Sequence, residues 1–98
     1  MANKTSSYRE YLLQALIDPM EASAYLDAAL EDSQEAFLKA LKNVAQAHTM
    51  AKVAKGAGIQ RETLYRSLSE QGNPTLETLS AVLGVLGMRL SVTSRGAG

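Results

Sequence analysis

The sequence lacks cysteine and tryptophan and contains a single histidine, His48. Without cysteine, neither a disulfide framework nor a thiolate metal site is possible. A lone histidine near a helix end is usually a helix-end or surface residue, and here no nucleophile–base pair or set of metal ligands accompanies it. We therefore expect no catalytic residue, no metal and no cofactor, and we do not expect an enzyme.

Long apolar runs are also missing. No run approaches the roughly 20 residues that a membrane-spanning helix needs. The first ten residues, Met1 to Glu10, contain no apolar stretch of the signal-peptide type. These absences predict a cytoplasmic protein without a membrane association.

One sign of charge is absent from one long segment and almost absent from another, although the formal net charge is zero. Between Glu10 and Glu35 there are seven acidic residues and no lysine or arginine. Between Lys39 and Ser69 there are six basic residues and one acid, Glu62. This asymmetry is typical of a chain that contacts both a polyanion and a basic protein, although solvated outer faces of helices also produce it.

Apolar residues recur with the period of an α-helix through most of the chain. The pattern predicts helices over Tyr8–Leu16, after a cap at Asp18, over Ser33–Ala47, over Met50–Lys55 with Thr49 as cap, over Ile59–Ser69, and from a cap at Asn73 or Thr75 to a stop at Gly87. The residues expected in the core are Leu12, Leu13, Leu16, Ala22, Tyr25, Leu26, Ala29, Leu30, Phe37, Ala40, Leu41, Val44, Ala45, Val53, Ile59, Leu64, Leu68, Leu76, Leu79, Val82, Leu83 and Leu86.

After Gly87 the period changes to two, because Met88, Leu90 and Val92 alternate with polar residues. This alternation predicts one β-strand over residues 88–93. A single strand cannot satisfy its own backbone groups. Its partner is either the same strand of a second copy or an edge of another protein; the other interpretation is a plain extended tail. We therefore predict Met88, Leu90 and Val92 as dimerisation residues.

The fold class predicted from these patterns is all-α, a bundle of five to six helices with one short C-terminal β-strand. A chain of 98 residues is the size of one domain. Within this single domain, 1–98, the predicted parts are a flexible N-terminus (1–7), N-terminal helices (8–48), a helix-turn-helix core (49–87), the strand (88–93) and a flexible tail (94–98).

The segment from Met50 to Ser69 has the spacing of a helix-turn-helix, in which two short helices are joined by a turn of three or four residues that contains glycine. Gly58 lies where the turn needs a positive φ angle. Leu64 and Leu68 would hold the second helix against the body of the protein. The alternative is a plain αα-hairpin whose charged residues only solvate it.

The outward side chains of the second helix suit recognition of bases in the major groove. Arg61 and Arg66 can donate two hydrogen bonds to guanine or clamp phosphates, and Glu62 can accept from cytosine. Polar neighbours suit contacts to phosphates. The residues predicted to contact DNA are Thr49, Lys52, Lys55, Gln60, Arg61, Glu62, Thr63, Tyr65, Arg66 and Ser69.

Several strings of residues resemble a known family. They include Met50-Ala-Lys-Val-Ala54, Glu62-Thr-Leu-Tyr-Arg-Ser-Leu-Ser69 and Gly72-Asn-Pro-Thr-Leu-Glu-Thr-Leu79. With these strings the sequence resembles the Cro/cI-like (Xre) helix-turn-helix family and, within it, the addiction-module antidote proteins. The resemblance extends from Tyr8 to Val92 and implies a lambda-repressor-like helix-turn-helix.

The same resemblance implies an antitoxin of a type II toxin–antitoxin module. Such a protein would neutralise a RelE/ParE-like toxin and repress its own operon by binding operator DNA, and palindromic operators favour a homodimer. Two positions depart from the family pattern. Gln60 stands where many members have a capping serine, and because glutamine is a poorer cap we expect a looser start of the second helix. Met50 stands where many repressors have a glutamine that contacts phosphate.

The toxin-binding surface is predicted from acidic charge and from the surface left over by DNA binding. Its residues are Tyr11, Asp18, Glu21, Tyr25 and Asp27. Toxins of this type act on RNA and would be basic, which favours an antitoxin over the alternative of a stand-alone helix-turn-helix transcriptional regulator. A third interpretation is a protein-interaction module that has lost DNA binding. It does not explain why Arg61 and Arg66 lie on the exposed face.

Overall fold

The computed structural model describes residues 4–96, with side chains from residue 7 onward. Residues 1–3 and 97–98, which belong to the two ends predicted to be flexible, lie outside this range. The helices within it are α1 (Lys4–Ala15), α2 (Pro19–Asp32), α3 (Gln34–Ala47), α4 (Met50–Ala57), α5 (Arg61–Ser67) and α6 (Leu76–Val85). None of them combines the length with the apolar character that crossing a bilayer requires.

Three helices begin with a side-chain cap. The sequence predicts the cap at Asp18 and offers Thr75 as one of two candidates. The Asp18 carboxylate accepts a hydrogen bond from the amide of Met20 at 3.0 Å. The Ser33 hydroxyl, which lies between α2 and α3, accepts from the amide of Ala36 at 2.9 Å. Thr75 caps α6 in the same way. These side chains satisfy amides that have no partner inside the first helical turn, so each helix start is encoded locally.

The cap predicted at Thr49 is not formed. Thr49 precedes α4, but its side chain makes no capping hydrogen bond and its backbone has φ 76° and ψ 115°. A capping residue normally has extended backbone angles, which direct its oxygen at the first free amides of the helix. Only His48 and Thr49 connect α3 to α4. This short connection holds Thr49, a β-branched residue, in a strained conformation.

The core joins an N-terminal group of helices to a C-terminal group. In the first group α2 and α1 both pack on α3; in the second, α4 packs on α5 and α6, and α3 contacts α4. The buried residues are Leu16, Ala22, Leu26, Leu38, Ala40, Leu41, Val44, Ala45, Met50, Val53, Ala54, Leu64, Leu68, Val82, Leu83 and Leu86. No polar or charged residue within the described range is buried.

Two residues predicted for the core are on the surface. Leu30 is 56% exposed and Leu76 is 71% exposed. Both lie at an edge of the apolar stripe of their helix, where periodicity marks a wider face than the neighbouring helices cover. Periodicity therefore identifies the face of a helix that packs inward, but not how far the neighbouring helices cover it.

The turn between α4 and α5 occupies residues 58–60. Gly58 has φ 74°, which confirms the predicted positive angle. The helix predicted to end at Lys55 continues to Ala57 and ends at Gly58. Gly56 lies against α6: a Cβ atom on it would come within 2.9 Å of Val85 Cγ2. The glycine thus permits close packing of α4 on α6.

The strand predicted over residues 88–93 is not formed. Gly87 ends α6 as predicted, with φ 84°, and the Met88 amide donates to the Leu83 carbonyl at 2.8 Å. From Met88 to Gly96 the backbone has no regular secondary structure. An isolated strand leaves its amides and carbonyls without partners, and no other described segment offers it an edge. Val92 is fully exposed.

Candidate functional site

The short helix α5 is held in place by two leucines. It has only seven residues, and a helix of this length is not stable alone in water. Leu64 and Leu68 are almost fully buried. At its start Gln60 makes no side-chain cap, as its residue type predicts. Tertiary packing therefore sets the orientation of α5 and of the side chains on its outer face.

The outer face of α5 carries charged and polar groups, which we call the α5 surface: Arg61, Glu62, Tyr65, Arg66 and Ser69. The two arginines and Glu62 are exposed, whereas Tyr65 and Ser69 are half-buried. The Ser69 hydroxyl donates to the Arg66 carbonyl at 2.8 Å. These residues recur at helical spacing opposite Leu64 and Leu68, so burial of the leucines turns the charged side chains outward.

Two cations lie over the ring of Tyr65. The Lys42 Nζ atom is 5.4 Å from the ring centroid, and the Arg61 Cζ atom is 5.7 Å from it. Cations at this distance are attracted by the electron-rich face of the ring. Hydrogen bonding by Arg61 and then by Gln46 lowers the pKa of Tyr65 below its ordinary value of 10.0. Tyr65 thus links α5 to α3.

Three polar residues of α3 belong to this surface, although the sequence analysis did not assign them to it. We call Lys39, Lys42 and Gln46 the α3 stripe. Both lysines line a cavity of about 510 Å³ together with Ser69 and residues 70–71 at the end of α5. Their spacing of three and then four residues places them on one helix face. The sequence shows this spacing, but it does not show which helix lies next to this face.

The remaining residues predicted to contact DNA lie on α4 and in the first turn of α5. Thr49, Lys52 and Lys55 are exposed, and the two lysines are one helical turn apart. Gln60 is exposed, whereas Thr63 is half-buried. The structure therefore leaves most of the predicted set exposed, and Thr63 is half-buried like Tyr65 and Ser69.

The structure does not gather the five residues predicted for toxin binding around one cavity. Tyr11, Asp18 and Glu21 are exposed. The Tyr25 hydroxyl accepts a hydrogen bond from Asn43 Nδ2 at 2.8 Å. Tyr25 lines a cavity between α2 and α3, whereas Asp27 lines a different one.

Asp27 lies beside an apolar groove of about 290 Å³ between α2, α3, α6 and the C-terminal segment. Its lining residues are Ser23, Leu26, Asp27, Leu30, Phe37, Leu83, Met88, Arg89, Leu90 and Ser91. Of the predicted dimerisation residues, Met88 is half-buried against the core and Leu90 lies at the rim of this groove. Val92 projects into solvent. The groove is lined by none of the residues of the α5 surface.

His48 is the C-cap residue of α3. Its Nε2 atom is buried and has no hydrogen-bond partner among the described residues. Among the residues that the structure describes, no group of three histidine or carboxylate side chains is arranged to hold a metal ion.

Comparison with known proteins gives one family and one relative. The model of the family described as probable addiction module antidote proteins matches residues 4–94. An uncharacterized protein of Haemophilus influenzae is 42% identical over 73 residues, which cover 74% of this chain and 75% of that protein. No solved structure matches the chain.

Proposed function

Because this chain belongs to the family of probable addiction module antidote proteins, we propose that it is the DNA-binding antitoxin of a type II toxin–antitoxin module. The family implies a toxin partner of some kind and suggests a non-enzymatic regulatory protein. In our proposal the partner is a RelE/ParE-like toxin. The antitoxin neutralises it by direct contact in the cytoplasm and represses its own operon by binding operator DNA.

The observation that carries the DNA-binding part is the α5 surface. Arg61, Glu62 and Arg66 are exposed on a seven-residue helix whose other side is locked into the core. The guanidinium of arginine can donate two parallel hydrogen bonds to a guanine edge or a phosphate, and carboxylates accept hydrogen bonds from cytosine. A rigid helix that presents these groups outward is suited to reading base edges in the major groove.

We interpret α4, residues 58–60 and α5 as a lambda-repressor-like helix-turn-helix. The left-handed Gly58 allows the sharp turn, and the Ile59 amide donates to the Ala54 carbonyl at 3.0 Å across it. In this interpretation α5 is the recognition helix. Lys52 and Lys55 of α4, together with Thr49, contact phosphates on its flank.

The proposed antitoxin is a homodimer. Two copies related by a two-fold axis would place their α5 helices in successive major grooves about 34 Å apart. Toxin contacts would lie on α2, where exposed acids such as Glu21 and Asp27 suit a basic partner, and on the side of α1 that carries Tyr11. Covering this region leaves the α5 surface free, so one molecule could bind toxin and operator together.

The decisive experiment is a fluorescence-anisotropy titration of the protein against its own promoter and an unrelated duplex, each at two salt concentrations. We expect tighter binding to the promoter and a steep loss of affinity with salt, because phosphate contacts release counterions. Arg61→Ala or Arg66→Ala should cost about 1–3 kcal/mol of promoter binding where the side chain reads a base.

Unchanged promoter affinity in both arginine variants would exclude α5 as the recognition helix. The toxin part is tested separately, by co-purification with the product of any short reading frame for a basic protein beside this gene. Promoter binding without such a partner would leave a stand-alone transcriptional regulator.

A further inference from the structure

Arg9 of α1 lies beside the α3 stripe, although it is more than 30 residues away from it in the sequence. Its guanidinium donates to Asn43 Oδ1 at 3.4 Å and also to the side-chain oxygen of Gln46. Both acceptors are neutral amides, so these bonds orient the guanidinium without neutralising its charge. The side chain is exposed, and its other N–H groups remain available for a ligand.

Gln46 brings Arg9 to the same side of the molecule as α5. Lys42 and Gln46 are four residues apart on α3, which separates them by about 6 Å along one helix face. The Lys42 ammonium in turn lies over the ring of Tyr65, with Arg61 on the same ring. Arg9, Lys42 and Arg61 therefore form a row of cations that runs from α1 across α3 to α5. We call it the cation row.

We propose that Arg9 contacts the DNA backbone, so that the DNA interface extends beyond the helix-turn-helix onto α1. The inference rests on the proposed DNA-binding function. The major groove is about 12 Å wide and is bordered by phosphates on both sides. With α5 in the groove, cations held beside α5 on the neighbouring helices are the ones placed to meet these phosphates. The planar guanidinium of Arg9 suits bidentate contact with phosphate, and Asn43 and Gln46 act as its positioning residues.

The competing explanation is that Arg9 only tethers α1 to α3 through its two amide partners. The two roles differ in their dependence on salt. A phosphate contact releases counterions, and each contact contributes about −0.9 to the slope of log affinity against log salt. A tether contributes nothing to that slope, because it neutralises no phosphate.

The test measures this slope for promoter DNA and for an unrelated duplex with wild type, Arg9→Ala, Arg9→Lys and Arg89→Ala. Arg89 is the matched control because its loss changes the net charge equally. It lines the apolar groove with Phe37, which points about 140° away from Lys42 around α3. Circular dichroism and a thermal melt of each variant show whether the helices remain folded.

We expect Arg9→Ala to lower the magnitude of the slope by about 0.9 on both duplexes. Its affinity for each should fall by the same factor, about two- to fivefold, as for loss of an exposed ion pair. Arg9→Lys should keep most of the slope, because the charge remains. Arg89→Ala should match wild type.

Equal slopes for Arg9→Ala and Arg89→Ala would overturn the inference. A lower melting temperature of Arg9→Ala together with the wild-type slope would also overturn it, because that result identifies a tether. Neither result would affect the proposed function, since the wild type would still prefer its promoter. If wild type binds neither duplex, the proposed function and this inference both fail.

Discussion

At the scale of single residues, the glycines of this chain have separate tasks. Gly58 supplies the left-handed turn before α5, and Gly56 allows α4 to approach Val85. Gly72 is the most constrained, because a Cβ atom on it would lie 2.1 Å from the Ser67 carbonyl oxygen. Gly84, in contrast, lies within α6 with no atom near the position of a Cβ. Only the structure distinguishes these roles.

Gly84→Ala should stabilise the protein by up to about 1 kcal/mol, because alanine has the higher helix propensity and the added methyl group meets no neighbour. Urea denaturation followed by circular dichroism measures the change. Gly72→Ala serves as the opposite control: the same methyl group there collides with backbone and should destabilise the fold. A loss of stability in Gly84→Ala would contradict the packing described for α6.

Arg61→Ala should raise the pKa of Tyr65 toward its ordinary value of 10.0, since Arg61 is the main cause of its lowering. A lowered pKa in the folded state means that the phenolate favours folding. This contribution is complete above pH 10.0 and disappears as pH falls through the folded pKa. The alkaline absorbance titration, with Tyr65→Phe subtracted to isolate this residue, measures the shift. An unchanged pKa of Tyr65 in Arg61→Ala would contradict the contact between Arg61 and the ring.

At the scale of elements, α5 shows how a helix too short to form alone is stabilised. Its residue sequence offers no side-chain cap at Gln60, and its length is below that of a stable isolated helix. Leu64 and Leu68 compensate by burying their side chains among α3, α4 and α6 residues of one core. The stability of the candidate DNA surface is therefore tied to the core.

Leu64→Ala should destabilise the protein by about 2–5 kcal/mol, because it removes a fully buried side chain and leaves a cavity beneath α5. Leu76→Ala is the matched control: the same atoms are deleted from a side chain that is 71% exposed. Its effect should stay within about 0.5 kcal/mol. Similar losses in both variants, measured by urea denaturation, would contradict the burial of Leu64.

Sequence reasoning at this scale succeeded where the signal is local. The caps at Asp18 and Thr75 act on amides two or three residues away, so residue type predicts the first and leaves only Asn73 as an alternative to the second. It failed at Thr49, where the two-residue connection between α3 and α4 sets the backbone angles. It also placed Leu30 and Leu76 inside, because a periodic pattern carries no information about the width of the neighbouring helices.

At the scale of the whole molecule, the C-terminal segment has apolar groups that the single chain does not cover. Leu90 lies at the rim of the apolar groove and Val92 projects into solvent. Exposed apolar side chains suit contact with a second copy of the chain. Our proposed dimer uses the apolar side chains of Met88, Leu90 and Val92 and not Arg89.

Replacing both Leu90 and Val92 with aspartate should convert a dimer to a monomer, because charges would be brought together where apolar groups meet. Sedimentation velocity over a range of protein concentrations measures the assembly. Ser91→Asp is the control, since it adds a charge on the alternate side of the same segment. A wild-type protein that is monomeric at all concentrations would exclude the homodimer.

Local sequence signals predicted the helical class, the cap at Asp18, the left-handed Gly58 and the outward direction of Arg61 and Arg66, because each depends on contacts within one or two helical turns. The packing of distant segments places Lys42 over Tyr65 and Arg9 beside Gln46. It also puts Tyr25 and Asp27 in the linings of different cavities and leaves residues 88–93 without a strand partner. These features depend on which elements meet in space, and residues far apart in the chain leave no local signal of such meetings.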